Sequence, residues 1–514
     1  MRLGIDFGTT HTVVAMSDHG NHPTVSFLDA QQDLHDFFPS VVAFEGETVR
    51  YGLDALEAAR KGNARLERSF KRWLGGTHAS PTQRVPGAPH ITQLDLVSGF
   101  LDALHKALVS RSTIGKLPAK EKLQVAVAVP ANAHSAQRFI TLEAFRRAGF
   151  EVTMMMNEPS AAGIEYAHHN ANTITSRRDL VLVYDLGGGT FDASLVSMEG
   201  GKHEVLASSG ISRLGGDDFD EILLEFALRE LSITRNSLSP KSRTRLLAHC
   251  CEVKESINPN TKRLFVDVRS CLDAGEMAEA KLPPEGVVLV AADEYEAACW
   301  RVVSRTVGEV ERVIQGHEAE LAAVYVVGGA SSLPVVTRVL RQRFGNRVKR
   351  SRQPSSSAAI GLSIAADPAS GVGVKERLNR CFGVFREADG GGGVSFDVIL
   401  DATVQVPGDF AKPHSIRRRY QPAHNIGHFR FIECSSLTAD KAPSGDITHV
   451  AQVVFPFAVS LQQKPVLDLT PIPITRVSSG EHWIEEVYEV DAAGIITLVM
   501  TDLQTGYKQT HLFK

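Results

Sequence analysis

The sequence predicts an α/β region followed by an all-β region, and three observations predict it. Up to about residue 367, short apolar runs at 3–5, 125–129, 181–184 and 324–327 alternate with helical patterns, the texture of an α/β unit with parallel or mixed sheets. From Phe382 onwards, runs at 396–400, 428–433, 450–457 and 495–500 are β-branched or aromatic and are separated by Gly, Pro, Asn and Asp turns, the texture of an antiparallel β unit. One pattern also occurs twice. Gly4-Ile-Asp-Phe-Gly-Thr-Thr-His-Thr-Val-Val-Ala and Val183-Tyr-Asp-Leu-Gly-Gly-Gly-Thr-Phe-Asp-Ala-Ser each read as strand, Asp, apolar residue, Gly-rich turn, strand. Two copies predict two similar lobes whose turns meet at a cleft.

Bulk properties fit this division. A chain of 514 residues exceeds one hydrophobic core, and the turn-rich stretch Asp367-Pro-Ala-Ser-Gly-Val-Gly marks the boundary. The expected units are 1–367, a linker over 368–381, and 382–514. Fifty-five Lys and Arg against 59 Asp and Glu give a net charge of −4, which argues against nucleic acid and against an anionic membrane surface as partners. The six cysteines show no paired framework and no metal-ligand spacing, and no basic, apolar leader precedes the first strand. No apolar run reaches bilayer length. These features predict a cytoplasmic protein.

The chemistry lies in the repeated turns. Tight turns of Gly and Thr let backbone N–H groups approach phosphate oxygens closely. Gly8, Thr9, Thr10 and His11 form one such turn; Gly187, Gly188, Gly189 and Thr190 form the other. Asp6 and Asp185, each ending its strand just before the turn, are placed to hold a hydrated Mg²⁺, which keeps several waters and takes few carboxylates. Either turn alone is an ordinary hairpin, and the duplication is what points to a shared nucleotide site. No Gly-x-x-x-x-Gly-Lys-Ser/Thr run is present, so the solution is not a P-loop.

At these residues the sequence resembles the 70-kilodalton heat-shock chaperone family of the DnaK type, within the actin and hexokinase superfamily. The resemblance runs through GIDFGTTHTVVA, FKRWLG, VAVAVPANAHSAQR, NEPSAAGIEYA, VYDLGGGTFDASL, LGGDDFD and VVGGASSLP, in order, over most of residues 1–366. It implies an actin-like two-lobed ATPase unit that binds ATP and ADP with Mg²⁺, and K⁺ beside it. It implies Lys71 as the lysine that orients the γ-phosphate and attacking water, Glu158 as the group positioning that water, Asp192 as an acid at the metal site, Thr190 near the γ-phosphate, and Pro130 as a coupler to the second unit. Gly215, Gly216, Gly328 and Gly329 match glycines around the nucleotide.

The adenosine side departs from the family. Ser332 stands where a stacking arginine is usual, Glu255 replaces a second one, and Asn258 replaces a serine, while Lys254 keeps a ribose-contacting position on a helix expected over 250–258. The C-terminal unit resembles the family's β-sandwich client domain most clearly at Tyr488-Glu-Val-Asp-Ala-Ala-Gly-Ile-Ile. No helical lid is expected after it, and the usual acidic, leucine-rich linker is replaced by Val374-Lys-Glu-Arg-Leu-Asn-Arg. The resemblance thus implies a chaperone-like protein that slowly hydrolyses ATP and holds unfolded peptide, with a J-domain protein and an exchange factor as partners. The alternatives are a nucleotide-sensing module with little turnover, a kinase of the same superfamily, and an actin-like filament protein. The triplet Arg417-Arg-Arg reads as a solvated strand or turn, or as a partner contact.

Overall fold

A computed structural model describes residues 1–62, 64–75, 79–115, 121–211, 213–408, 410–465, 469–477 and 482–514. The repeated motif forms two hairpins on one plan. Arg2–Phe7 pairs antiparallel with His11–Met16 and, on its other edge, parallel with Gln124–Val129, so that Ile5 lies between Val14 and Val127. Leu180–Leu186 pairs antiparallel with Phe191–Ser197 and parallel with Leu321–Val327 in the same way. Each hairpin is the middle of a mixed sheet. The first runs Glu151–Asn157, Gln124–Val129, Arg2–Phe7, His11–Met16, Phe38–Pro39; the second runs Val348–Arg350, Leu321–Val327, Leu180–Leu186, Phe191–Ser197, Lys202–Ile211, Gly373–Val374. These central strands read as unbroken apolar runs because helices cover both faces, and in Leu180–Leu186 only Asp185 escapes full burial.

Two helices tie the lobes together. Glu158–Asn170 sends Ala161 and Ile164 into the first lobe's apolar cluster and Ala162 and Tyr166 into the second's. Ser357–Ala366 crosses it at Gly361, where a Cβ would lie 1.8 Å from the Ala161 carbonyl oxygen, so only glycine permits the crossing. Among the described residues no helix is long and apolar enough to cross a membrane.

From Cys381 onwards the described residues carry strands and short 3₁₀ turns and no α-helix. Two four-stranded antiparallel sheets, Gly393–Leu400, Cys381–Ala388, Ile426–Leu437, Pro443–Pro456 and His414–Tyr420, Ile484–Val490, Ile496–Asp502, Lys508–Leu512, share one core that includes Phe382, Phe431, Phe455, Leu498 and Phe513. Strand alternation turns Ile484, Glu486, Tyr488 and Val490 inward. Glu486 breaks that apolar row and is satisfied by the Arg386 guanidinium at 2.5 Å and the Tyr420 hydroxyl at 2.8 Å. Cys381 and Cys434 lie directly opposite each other on neighbouring strands as free thiols.

The β region sits against the first lobe. Ala493 and Ile495, in the turn after Ile484–Val490, join that lobe's core cluster. Arg138 donates to the Ala493 carbonyl at 3.3 Å, and the Ser135 N–H donates to the Glu433 carboxylate at 3.1 Å. The segment between the regions is itself paired: Gly373–Val374 extends the second sheet beside Lys202–Ile211, and Glu376–Arg377 pairs with Gln405–Val406. The helix expected over 250–258 runs Pro240–Glu255, and Asn258, which precedes Pro259 and is disfavoured in helical geometry, lies outside it.

Candidate active site

The two Gly-rich turns meet between the lobes, and the glycines themselves record how closely. A Cβ on Gly188 would lie 2.3 Å from the Thr10 side chain, and one on Gly189 would lie 2.4 Å from the Arg72 guanidinium, both on the opposite lobe. Gly8 is fixed by its own turn, since a Cβ there would strike the His11 carbonyl at 2.2 Å. Behind the second turn, the start of helix Gly216–Leu231 holds it in place: Gly216 N–H donates to the Gly187 carbonyl at 2.9 Å and Asp217 N–H to the Gly188 carbonyl at 2.7 Å. Gly215 lies so close to Gly189 that a Cβ would meet its nitrogen at 2.6 Å. Gly328, at φ +84°, lies against Asp185, where a Cβ would meet the carboxylate at 2.4 Å. Gly329 and Ser332 open and close the following 3₁₀ turn.

Between the turns sits a buried charge cluster. Lys71 is 6% exposed and its Nζ donates to Glu158 Oε1 at 2.9 Å. Burial pulls the Lys71 pKa down, but Glu158, Asp6 and Asp185 outweigh it and hold the ammonium above its ordinary value. Asp6 is pushed up to about 7 by burial and then by Glu158, with Lys71 opposing. Asp192 is likewise raised to about 7 by burial and Glu158, with a hydrogen bond from Thr190 and the Lys71 charge opposing. Asp185 is raised well above the carboxylate range by burial and by Glu158, Asp192 and Asp6. One lysine among four acids leaves negative charge that a cation would relieve.

Sequence reasoning missed a bridge across the cleft. Arg72 donates to the Gly189 carbonyl at 2.6 Å and lies 3.2 Å from Asp217, while the Ser69 hydroxyl donates to Asp217 at 3.0 Å. Ser69 adopts φ 56°, a left-handed conformation in the residue two before Lys71. The partners lie 117 to 148 positions apart, and only the flanks of the lysine motif mark the place.

The adenosine side is arranged differently. Lys254 is buried and committed to Asp220 at 2.7 Å and to the Gly216 carbonyl at 3.0 Å. Burial raises Asp220 to about 6 despite that lysine. Glu255, the last residue of that helix, and Asn258 beyond it are exposed, with the Asn258 side chain accepting from the Asn260 N–H at 3.0 Å. Ser332 is exposed, and its neighbour Ser331 donates to the Gly328 carbonyl at 2.6 Å. His11 reaches towards this side and packs against Phe37 with the rings tilted at 43° and their centroids 3.7 Å apart. Burial lowers its pKa to about 4, with Glu255 opposing and Lys254 and Arg68 adding to the fall, so the ring is neutral at pH 7.

Comparison with known proteins gives the family. The family model for Hsp70 protein matches residues 106–378. The chaperone protein HscA of Proteus mirabilis is 32% identical over 387 residues, which cover 71% of this chain and 58% of that protein. An HscA homolog of Burkholderia cenocepacia is 28% identical over 533 residues, covering the whole chain and 78% of the relative. A heat shock cognate HSP70 protein of Trypanosoma brucei brucei is 30% identical over 540 residues, covering 97% and 73%. The chain belongs to the Hsp70 family, whose members are ATP-dependent chaperones with an actin-like ATPase unit.

Proposed function

We propose that the cleft binds ATP and Mg²⁺ and hydrolyses the nucleotide slowly, and that the β-rich region over 382–514 holds an extended polypeptide. The observation that carries the first part is the Lys71 ammonium, buried on Glu158 beside Asp6 and Asp185 and flanked by two amide-lined turns. Phosphoryl transfer to water is governed by alignment and charge neutralisation, so these groups suffice without a covalent intermediate. In this reading the N–H groups of Gly8 to His11 and of Gly187 to Thr190 bind phosphate oxygens. Lys71 places its charge on the transferring phosphoryl group, Glu158 holds both that lysine and the attacking water, and Thr190 orients Asp192. Asp6, Asp185 and Asp192 hold the hydrated cation through its waters, with K⁺ alongside; the cation neutralises phosphate charge when bound. Arg138, which donates to the Ala493 carbonyl of the β region, and Pro130, the coupler that the family resemblance implies, are the proposed route from cleft to client. A J-domain protein and an exchange factor are proposed as partners, and a reducing cytoplasm as the setting, in line with the free thiols.

Single-turnover hydrolysis of ATP tests this. Lys71→Ala should lose about 10² to 10³ in rate while keeping nucleotide, because an aligning charge acts on the transition state more than on the ground state. Unaltered hydrolysis in that variant sinks the assignment. A second reading, a nucleotide sensor with little turnover, is favoured by one observation: Lys254, expected at the ribose, is spent on Asp220. The same experiment separates them, since a sensor binds ATP without measurable turnover in the parent.

A further inference from the structure

The Arg417–Arg419 triplet lies on a strand with a free edge. His414–Tyr420 pairs with Ile484–Val490 on one side, and among the described residues no strand covers its other edge. An uncovered edge offers a row of backbone N–H and C=O groups to another chain. Ile416, Arg418 and Tyr420 share the face that turns towards the sandwich core, and Ile416 and Tyr420 pack on that core. Arg418 is nevertheless exposed. It lies opposite Glu486, whose carboxylate is already taken by Arg386, Tyr420 and Tyr488. On the other face Arg417 and Arg419 converge on one carboxylate, Glu485, at 3.5 and 2.6 Å. Glu489 is the remaining acid of the partner strand on that face, opposite Ser415. The edge thus carries three guanidinium groups, and the one at Arg418 faces the opening of the core.

A second observation lies where the strand begins. A cavity of about 480 Å³ is lined by His414, Lys412, Lys375, Pro407 and Pro413. Among the described lining residues the one carboxylate, Glu376, is buried and met from within, by the Asn157 amide and by Ser160 and Arg138 behind it. Two lysines and three arginines therefore follow one another along a path that an extended chain can occupy.

We infer that the free edge of His414–Tyr420 takes up an acidic, extended polypeptide segment as an added strand, its end entering the Lys375 and Lys412 cavity. Main-chain hydrogen bonds along the edge give affinity, and the alternating arginines select carboxylates. The same charges discourage pairing of this edge with a second copy of itself. The inference names the substrate class for the polypeptide-holding role and rests on that role.

The test uses the full chain and fluorescein-labelled peptides of about ten residues with valine alternating with aspartate, lysine or threonine. The aspartate peptide should bind at least about tenfold more tightly than the threonine peptide at low salt, with the gap closing as ionic strength rises. Arg418→Glu should reverse the preference towards the lysine peptide. Arg418→Ala, a truncation at an exposed position, should weaken aspartate binding even if the glutamate variant folds poorly. N-methylation of alternate peptide residues should abolish binding, because an added strand needs those N–H groups. Equal binding of the neutral and acidic peptides overturns the charge selection and leaves the polypeptide-holding role standing. Acidic binding that ignores both Arg418 variants, or N-methylation, overturns the edge as its place. Binding of none of the three peptides removes the polypeptide-holding role itself, while ATP turnover, read separately, is untouched.

Discussion

The phosphate side and the adenosine side of the cleft are built from opposite materials. On the phosphate side, residues of two hairpins bring Asp6, Asp185 and Asp192 into one buried space where burial, and then repulsion from Glu158, raises all three. That side is electrostatically unfinished without a cation. On the adenosine side the polar groups are already spent on each other: Lys254 on Asp220, Ser331 on the Gly328 carbonyl, Asn258 on its own turn. The difference teaches that binding should be driven by phosphate and metal, with little left to grip or read the base.

The sharpest way to break this comparison is to open the spent pair. Lys254→Met leaves Asp220 buried and alone, which should cost about 3 kcal/mol of stability at pH 8, seen as a lower Tm, with a smaller effect on ATP affinity. Asp220 is raised to about 6 even with its lysine, and without it the pKa rises further. An acid with a raised folded pKa costs stability above its unfolded pKa, and the cost disappears as pH falls through the folded value. The gap between variant and parent should therefore narrow from pH 8 to pH 5. A large loss of ATP affinity with unchanged Tm would show instead that the lysine serves the ribose.

The phosphate side has its own counterpart. Asp185→Asn should lower turnover by about 10²-fold and weaken nucleotide binding only when Mg²⁺ is present, because the hydrated cation loses a charged anchor. Equal Mg²⁺ dependence in variant and parent counts against that role. The smallest expected change comes from rebuilding the adenosine side. Ser332→Arg or Glu255→Arg, at exposed positions, should tighten ATP by about 0.5 to 2 kcal/mol through stacking on the base, measured by calorimetric titration. No gain in either variant would mean that the adenine face is already covered.

The sequence disclosed most of what is local. The runs at 3–5, 125–129, 181–184 and 324–327 lie inside Arg2–Phe7, Gln124–Val129, Leu180–Leu186 and Leu321–Val327, because a strand buried on both faces must be apolar throughout. The paired Gly-rich turns also came from the sequence, since each turn's chemistry is contained in a few consecutive residues. What stayed hidden depends on partners far along the chain. Glu486 reads as an error in the Ile484–Val490 alternation until Arg386, 100 positions away, supplies its counter-charge. Ala493 carries no signal of its own and Ile495 reads as the start of the strand run 495–500, yet both are packed into the first lobe. Ser69 carries no composition signal for its left-handed backbone, which accompanies its bond to Asp217 on the other lobe.

The most direct test of a cleft held by phosphate and metal is a paired titration of ATP and GTP against the parent protein, with and without Mg²⁺. The account predicts similar affinities for the two triphosphates, both falling when Mg²⁺ is removed. ATP binding in the nanomolar range with strong preference over GTP would contradict it, and would require an adenine clamp other than the residues at 255, 258 and 332.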